Sequence, residues 1–110
     1  MQKYTTLERL VDAPYVIRVV LRIDEMERSE QGFAMGKDFN DIQMNNRIIM
    51  DVIGGLQAYG IAIREGTDKG RRFYQIRLTE KGKELAAHLR RAVDVFNEAA
   101  SDSSDRTGSI

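Results

Sequence analysis

The chain has no cysteine, no tryptophan, one proline, one histidine and no net formal charge across its 110 residues. Without cysteine there is no disulfide framework, no thiolate nucleophile and no cysteine-ligated zinc, and the composition fits a reducing compartment. No segment approaches the ~20 consecutive apolar residues of a membrane-spanning helix, and the N-terminus has no basic stretch leading into an apolar run. A cytoplasmic location is therefore expected. A glycine-rich phosphate loop is missing, as is a nucleophile set beside a plausible base, so no enzymatic activity, metal or cofactor is expected. Zero net charge means that attraction to a polyanion must come from how the charges are distributed.

That distribution is uneven. Residues 64–77 carry five basic side chains against two acidic ones, whereas residues 94–110 carry four acidic against one basic. With 42% hydrophobic and 31% charged residues, the composition is that of a packed globular protein, and the length suits one core. One domain is expected over residues 1–100. Residues 101–110 read as a disordered acidic and polar tail, with too little apolar area to offset the entropy of ordering.

Hydrophobic spacing divides the domain into elements. A short helical turn is expected over residues 5–11, broken by Asp12-Ala13-Pro14, with a new helix starting at Pro14 and running to about Ser29. In it Ile17, Val20, Leu21 and Asp24 share a face, Val16, Val19, Ile23 and Met26 widen the apolar stripe, and Arg18, Arg22, Glu25 and Arg28 remain for solvent. Residues 32–36 are bounded by glycines and read as a loop holding a brief extended segment, a candidate third strand. Asp38 is the expected N-cap of a helix of barely two turns that turns Phe39 and Ile42 inward. Asn45 caps the next helix, where Ile49, Val52, Ile53, Leu56 and Tyr59 keep helical spacing until Gly60 ends it. Residues 61–65 and 73–78 are rich in β-formers and flank a polar, glycine-punctuated turn over 66–72, which makes a hairpin with a basic tip. Thr79 caps a final helix whose stripe of Leu85, Leu89, Ala92, Val93 and Phe96 runs to about Ala100.

Helix, short helix, helix, hairpin, helix is the order of a winged helix-turn-helix: an α+β, mostly helical fold with a two- or three-stranded wing and an extended C-terminal helix. Three segments sharpen this. Leu56-Gln57-Ala58-Tyr59-Gly60-Ile61, followed by Ile63-Arg64, resembles the end of a recognition helix entering a wing. Tyr74-Gln75-Ile76-Arg77-Leu78-Thr79-Glu80-Lys81-Gly82 resembles a second wing strand passing into a threonine-capped last helix. Residues 13–21 resemble the usual first core helix. Together they cover roughly residues 8–90 and resemble winged-helix transcription regulators of the broad group that includes the MarR, PadR and HxlR families. The resemblance implies a homodimer on double-stranded DNA.

In such a regulator the N-terminal half of the recognition helix enters the major groove. Asn45, Asn46, Arg47, Met50 and Asp51 are the expected DNA-facing residues there, with Gly54 at the margin. Arg47 suits guanine, Asn46 adenine and Met50 a thymine methyl, while Asp51 suits cytosine or orients Arg47. Lys69, Arg71 and Arg72 at the wing tip and Lys37 before the short helix suit phosphate, which positions a protein without specifying sequence. Plainer accounts stand beside these. A basic hairpin tip is often a solvated turn, and Gly54-Gly55 serves tight packing against the first helix as readily as DNA. Met26, Met35, Met44 and Met50 fill an irregular core more simply than they line a ligand pocket. His88 is a surface or interface residue before it is a pH sensor, and Asp38, Asp41 and Asp51 cap and solvate helices before they bind metal. Leu85, Leu89, Val93 and Phe96 form the expected dimer interface, with residues 1–10 packing beside it. The alternative function is a winged-helix module for protein contact within a larger assembly.

Overall fold

The computed structural model describes residues 15–67 and 70–108, with side chains over 15–66 and 74–102. Helix α1 spans Val16–Glu27, a single 3-10 turn spans Gly36–Phe39, and helix α2 spans Asn46–Ala58. Strands β1 (Ala62–Thr67) and β2 (Gly70–Leu78) pair antiparallel, and helix α3 runs from Glu80 to Gly108. The expected turn over residues 5–11, the segment over 1–10 and Pro14 lie outside the described residues.

The core forms where these elements meet. Val16, Val19, Val20 and Ile23 of α1 pack with Phe39 and Ile42, with Ile49, Ile53 and Leu56 of α2, with Ala62, Ile76 and Leu78 of the hairpin, and with Ala86 of α3. Phe39 is fully buried although it sits in a single 3-10 turn. Losing a buried phenylalanine costs ~3–5 kcal/mol, so that one turn is fixed by packing and not by its own hydrogen bonds. Ile17 and Leu21, expected on the main apolar face of α1, lie only half-buried at its flank.

Several boundaries move for identifiable reasons. Helix α1 starts at Val16 because Tyr15 holds a left-handed conformation (φ 71°), a strained setting for a bulky residue. The Tyr15 hydroxyl accepts a hydrogen bond from Gln43 Nε2 at 3.0 Å. The helix expected at Asp38 is instead the 3-10 turn capped by Met35, and Asp38 stands at its third position. There its carboxylate accepts from the Met35 N–H at 2.8 Å and from Gln31 Nε2 at 3.0 Å. The candidate third strand shrinks to one residue: Ala34 exchanges both backbone hydrogen bonds with Ile76, at 2.9 and 2.8 Å. The wing therefore has two strands. Those strands run to Thr67 and from Gly70, so Arg71 and Arg72 belong to β2 and not to the turn. The register jumps from Gly66–Tyr74 to Thr67–Gly70, which leaves residues 71–73 bulged out of one-to-one pairing.

Gly60 ends α2 as expected, at φ 72°. Its N–H donates to the Gln57 carbonyl at 3.0 Å and the Ile61 N–H to the Leu56 carbonyl at 2.8 Å, the paired bonds of a Schellman motif. Tyr59, the last residue of the helical spacing, is the C-cap and is 47% exposed. Met44, expected among core-filling methionines, is 84% exposed, while Met26 and Met50 do pack on the core.

The wing closes onto α3 at Thr79. Its N–H donates to the Ile61 carbonyl at 3.0 Å, its hydroxyl donates to the Gly60 carbonyl at 2.5 Å, and the same oxygen accepts from the Gly82 N–H at 3.0 Å. Helix α3 then continues past Ala100 to Gly108. The apolar spacing that ended the expected helix at Ala100 is not what ends it: no proline interrupts residues 80–108, and the first glycine after Gly82 is Gly108 itself.

At Gly82 the start of α3 touches the wing base. A Cβ there would lie 2.0 Å from the Ile61 carbonyl oxygen and 3.0 Å from Leu78 Cβ. Helix propensity favours alanine by ~1 kcal/mol, but the clash is with backbone, so strain should prevail. Gly82→Ala is expected to destabilise the protein by about 1–3 kcal/mol, read as a lower urea midpoint; an unchanged or higher midpoint would remove this account.

Candidate nucleic-acid interface

Two side chains fix how α2 is presented. Asn45 is its N-cap, with Oδ1 accepting from the Arg47 N–H at 3.0 Å. Gln43 Oε1 accepts from the Asn45 N–H at 3.0 Å while its amide nitrogen bonds Tyr15 of the first helix. The entry into α2 is thus tied to the entry into α1.

With Ile49, Ile53 and Leu56 buried, helical geometry puts Arg47, Asp51, Gly54 and Ala58 along the opposite line. Arg47 and Asp51 are exposed there, as are Asn45 and Asn46 at the first turn. Asn46 lies at the edge near the 3-10 turn, its Oδ1 3.2 Å from where a Cβ on Gly36 would stand, with Met50 Cε 4.0 Å from the same point. Lys37, next in sequence, is exposed on that edge. Lys37, Asn45, Asn46, Arg47 and Asp51 are thus all accessible. Met50 is half-buried and packed on the core, turned toward the wing, where Arg64 Nη1 donates to its sulfur at 3.4 Å. Lys69 lies outside the described residues, and Arg71 and Arg72 are described only as backbone of β2.

Among the described residues, no atom lies within 4 Å of the Cβ positions of Gly54 and Gly55. Packing against the first helix, one of the two accounts weighed for them, is therefore not their reason.

Some charged residues proved structural. Arg22, expected in solvent, grips Asp41 with both nitrogens, at 2.6 and 2.8 Å, and also donates to the Asp38 carbonyl. The hydrogen bond from Arg22 holds the Asp41 carboxyl at about 2, below its ordinary range, and Arg22 is raised in turn, first by the same bond. Asp24 accepts from Arg28 at 2.8 Å and from Arg90 of α3 at 3.0 Å. Glu27 accepts from the Leu78 N–H at 3.0 Å and so ties α1 to the wing base. Helical i,i+4 spacing accounts for Asp24 with Arg28, but nothing in local spacing marks the others, because each joins residues distant in sequence. Among the described residues no three of His, Asp and Glu are grouped as metal ligands would be, and no helix is long and apolar enough to cross a membrane. His88 is exposed.

The expected dimer stripe divides. Leu85 and Leu89 are half-buried, and Leu89 packs on the core; Val93 and Phe96 are exposed, Phe96 by 76%. Ile17, Leu89, Ala92, Val93, Phe96 and Asn97 line an open, largely apolar groove of about 360 Å³ between α1 and α3.

This arrangement recurs in solved structures. A single-residue mutant of S. aureus MepR, of the MarR family, superposes with a TM-score of 0.69 over 88% of this chain and 69% of that one, at 14% identity. The chain is a winged helix-turn-helix protein. A candidate DNA-binding protein of Ralstonia eutropha superposes with a TM-score of 0.57 over 70% of this chain and 95% of that one, at 26% identity. No protein-family model and no curated protein sequence matches the chain. In this winged helix α2 directly precedes the wing, which is the β1–β2 hairpin, and the long α3 follows it, as expected from the sequence.

Because Gly54 and Gly55 face open space, Gly54→Ala and Gly55→Ala should each raise stability by up to ~1 kcal/mol through helix propensity. A chemical denaturation curve shifted to lower midpoint in either variant would mean that the glycines pack against something after all.

Proposed function

We propose that the protein is a homodimeric, sequence-specific regulator of transcription that binds double-stranded DNA. The observation that carries this reading is the exposed N-terminal face of α2, where Arg47 and Asp51 stand outward at the recognition position of a winged helix. Similarity in fold to MepR and to the Ralstonia candidate DNA-binding protein supports it. Laid in the major groove, Arg47 pairs with guanine through its two-pronged guanidinium and Asn46 with adenine, while Asp51 accepts from cytosine or steadies Arg47. Asn45 has its carbonyl oxygen engaged in capping, so its amide group is what remains for DNA. Lys37 and the wing residues Lys69, Arg71 and Arg72 serve the phosphate backbone or minor groove.

The second copy is invoked for the far half of α3. Phe96 and Val93 are too exposed for a stable lone surface, and the apolar groove beside them suits the same helix of a two-fold mate. A two-fold pair sets two recognition helices ~34–36 Å apart and reads a palindrome.

Fluorescence anisotropy of a labelled random-sequence duplex, titrated at low and moderate salt, tests the first part. Wild type is expected to bind with steep salt dependence, and Arg71→Ala/Arg72→Ala to weaken binding to every sequence and flatten the salt slope by about 2. Absence of binding even at low salt would replace this reading with a protein-contact module. For the dimer, light scattering should give twice the chain mass for wild type and the single mass for Phe96→Glu; a monomeric wild type at micromolar concentration would end the two-fold proposal.

A further inference from the structure

Arg64 is unlike most described arginines. Arg22, Arg28, Arg77, Arg90 and Arg91 each have a carboxylate within 4 Å. Among the described residues, none lies that close to Arg64. Its neighbours are neutral: the guanidinium lies 4.8 Å from the centre of the Tyr74 ring, and Nη1 donates to Met50 Sδ at 3.4 Å. Arg64 is also half-buried, where a cation without a counter-charge carries a desolvation cost. A thioether is a weak acceptor, and among the described residues no other atom is hydrogen-bonded to the Arg64 guanidinium.

The register explains this setting. Arg64 pairs with Ile76 and Gly66 with Tyr74, so Arg64 and Tyr74 lie diagonally on the sheet face that carries the core residues Ala62, Ile76 and Leu78. Toward the wing tip that face leaves the core and comes alongside α2, and Met50 closes the gap. Arg77, at the base of β2, lies on the opposite face and is consumed by Glu65 at 3.1 Å and Gln75 at 2.9 Å.

We infer that Arg64, held by Tyr74 and Met50 in the cleft between α2 and the wing, binds a backbone phosphate of duplex DNA beside the groove that α2 enters. The inference rests on the DNA-binding reading and adds a contact at the wing's base to those at its tip. A guanidinium fork matches a phosphate's oxygens, and a side chain already stacked loses little further freedom on binding. Base edges are the province of the first turns of α2; Arg64 stands to the side of them, on the strand. Met50 thus acts as a positioning residue for Arg64.

The same anisotropy titration, with A·T-rich and G·C-rich labelled duplexes, decides the matter. Arg64→Ala should lose about tenfold in affinity on both duplexes and lower the salt slope by about 1, with its melting curve recorded alongside. Arg64→Lys keeps the charge but not the fork, and should restore the slope while recovering only part of the affinity. Tyr74→Leu and Met50→Leu keep the charge and lose the posture, and should each weaken binding by about two- to threefold at unchanged slope. Wild-type affinity in Arg64→Ala, while Arg71→Ala/Arg72→Ala loses it, overturns the role of Arg64 and leaves the DNA-binding reading intact. A loss confined to one duplex makes Arg64 a base contact and overturns the phosphate assignment, as does Arg64→Lys behaving like Arg64→Ala. No binding by wild type overturns both readings.

Discussion

The meeting of Gly60, Ile61, Thr79 and Gly82 is the constraint on which the rest of the fold depends. Four elements end or begin there: α2 stops at its left-handed glycine, β1 starts, and β2 passes into α3. The Thr79 hydroxyl serves two partners, donating to the Gly60 carbonyl and accepting the free N–H at the start of α3. The Ile61 carbonyl also approaches Gly82 so closely that no side chain fits between them. The angle at which the wing leaves α2 and the line along which α3 departs are therefore set together. If that point moved, the exposed face of α2, the wing and the far half of α3 would lose their common frame.

Around that point the charges divide into two kinds of work. Arg22, Arg77 and Arg90 are spent on carboxylates of other elements and hold those elements to one another, while Arg28 pairs within its own helix end. The bidentate pair of Arg22 with Asp41 fastens α1 to the turn that precedes α2, and Glu27 fastens it to the end of β2. Arg47 and Arg64 carry no such partner among the described residues, and both stand on the side of the molecule that α2 and the wing share. A neutral total thus conceals an uneven distribution of charge.

Helix α3 is two structures in one. Its first turns belong to the core, with Ala86 buried and Leu89 against α1, and Arg90 bonds Asp24 there. From Arg91 to Asp102 every described side chain is exposed, so nothing within the described residues restrains that half sideways. Twenty-nine residues of helix extend ~43 Å, longer than one small core can cover.

The sequence by itself determined the order of the elements, the caps at Asn45 and Thr79, the stop at Gly60, the inward residues Phe39, Ile49, Ile53 and Leu56, and hence the winged-helix fold. All of these are written in spacing of 3.6 or 2 residues or in the chemistry of a single cap, which are local properties. Only the tertiary structure decided that Asp38 caps from inside its turn, that Met50 turns to Arg64, that Gly54 and Gly55 face open space while Gly82 does not, and that Arg22 is bound. Those outcomes depend on which atoms from distant parts of the chain arrive at one place. Spacing along a chain records the face on which a residue lies, and what meets that face is settled by packing.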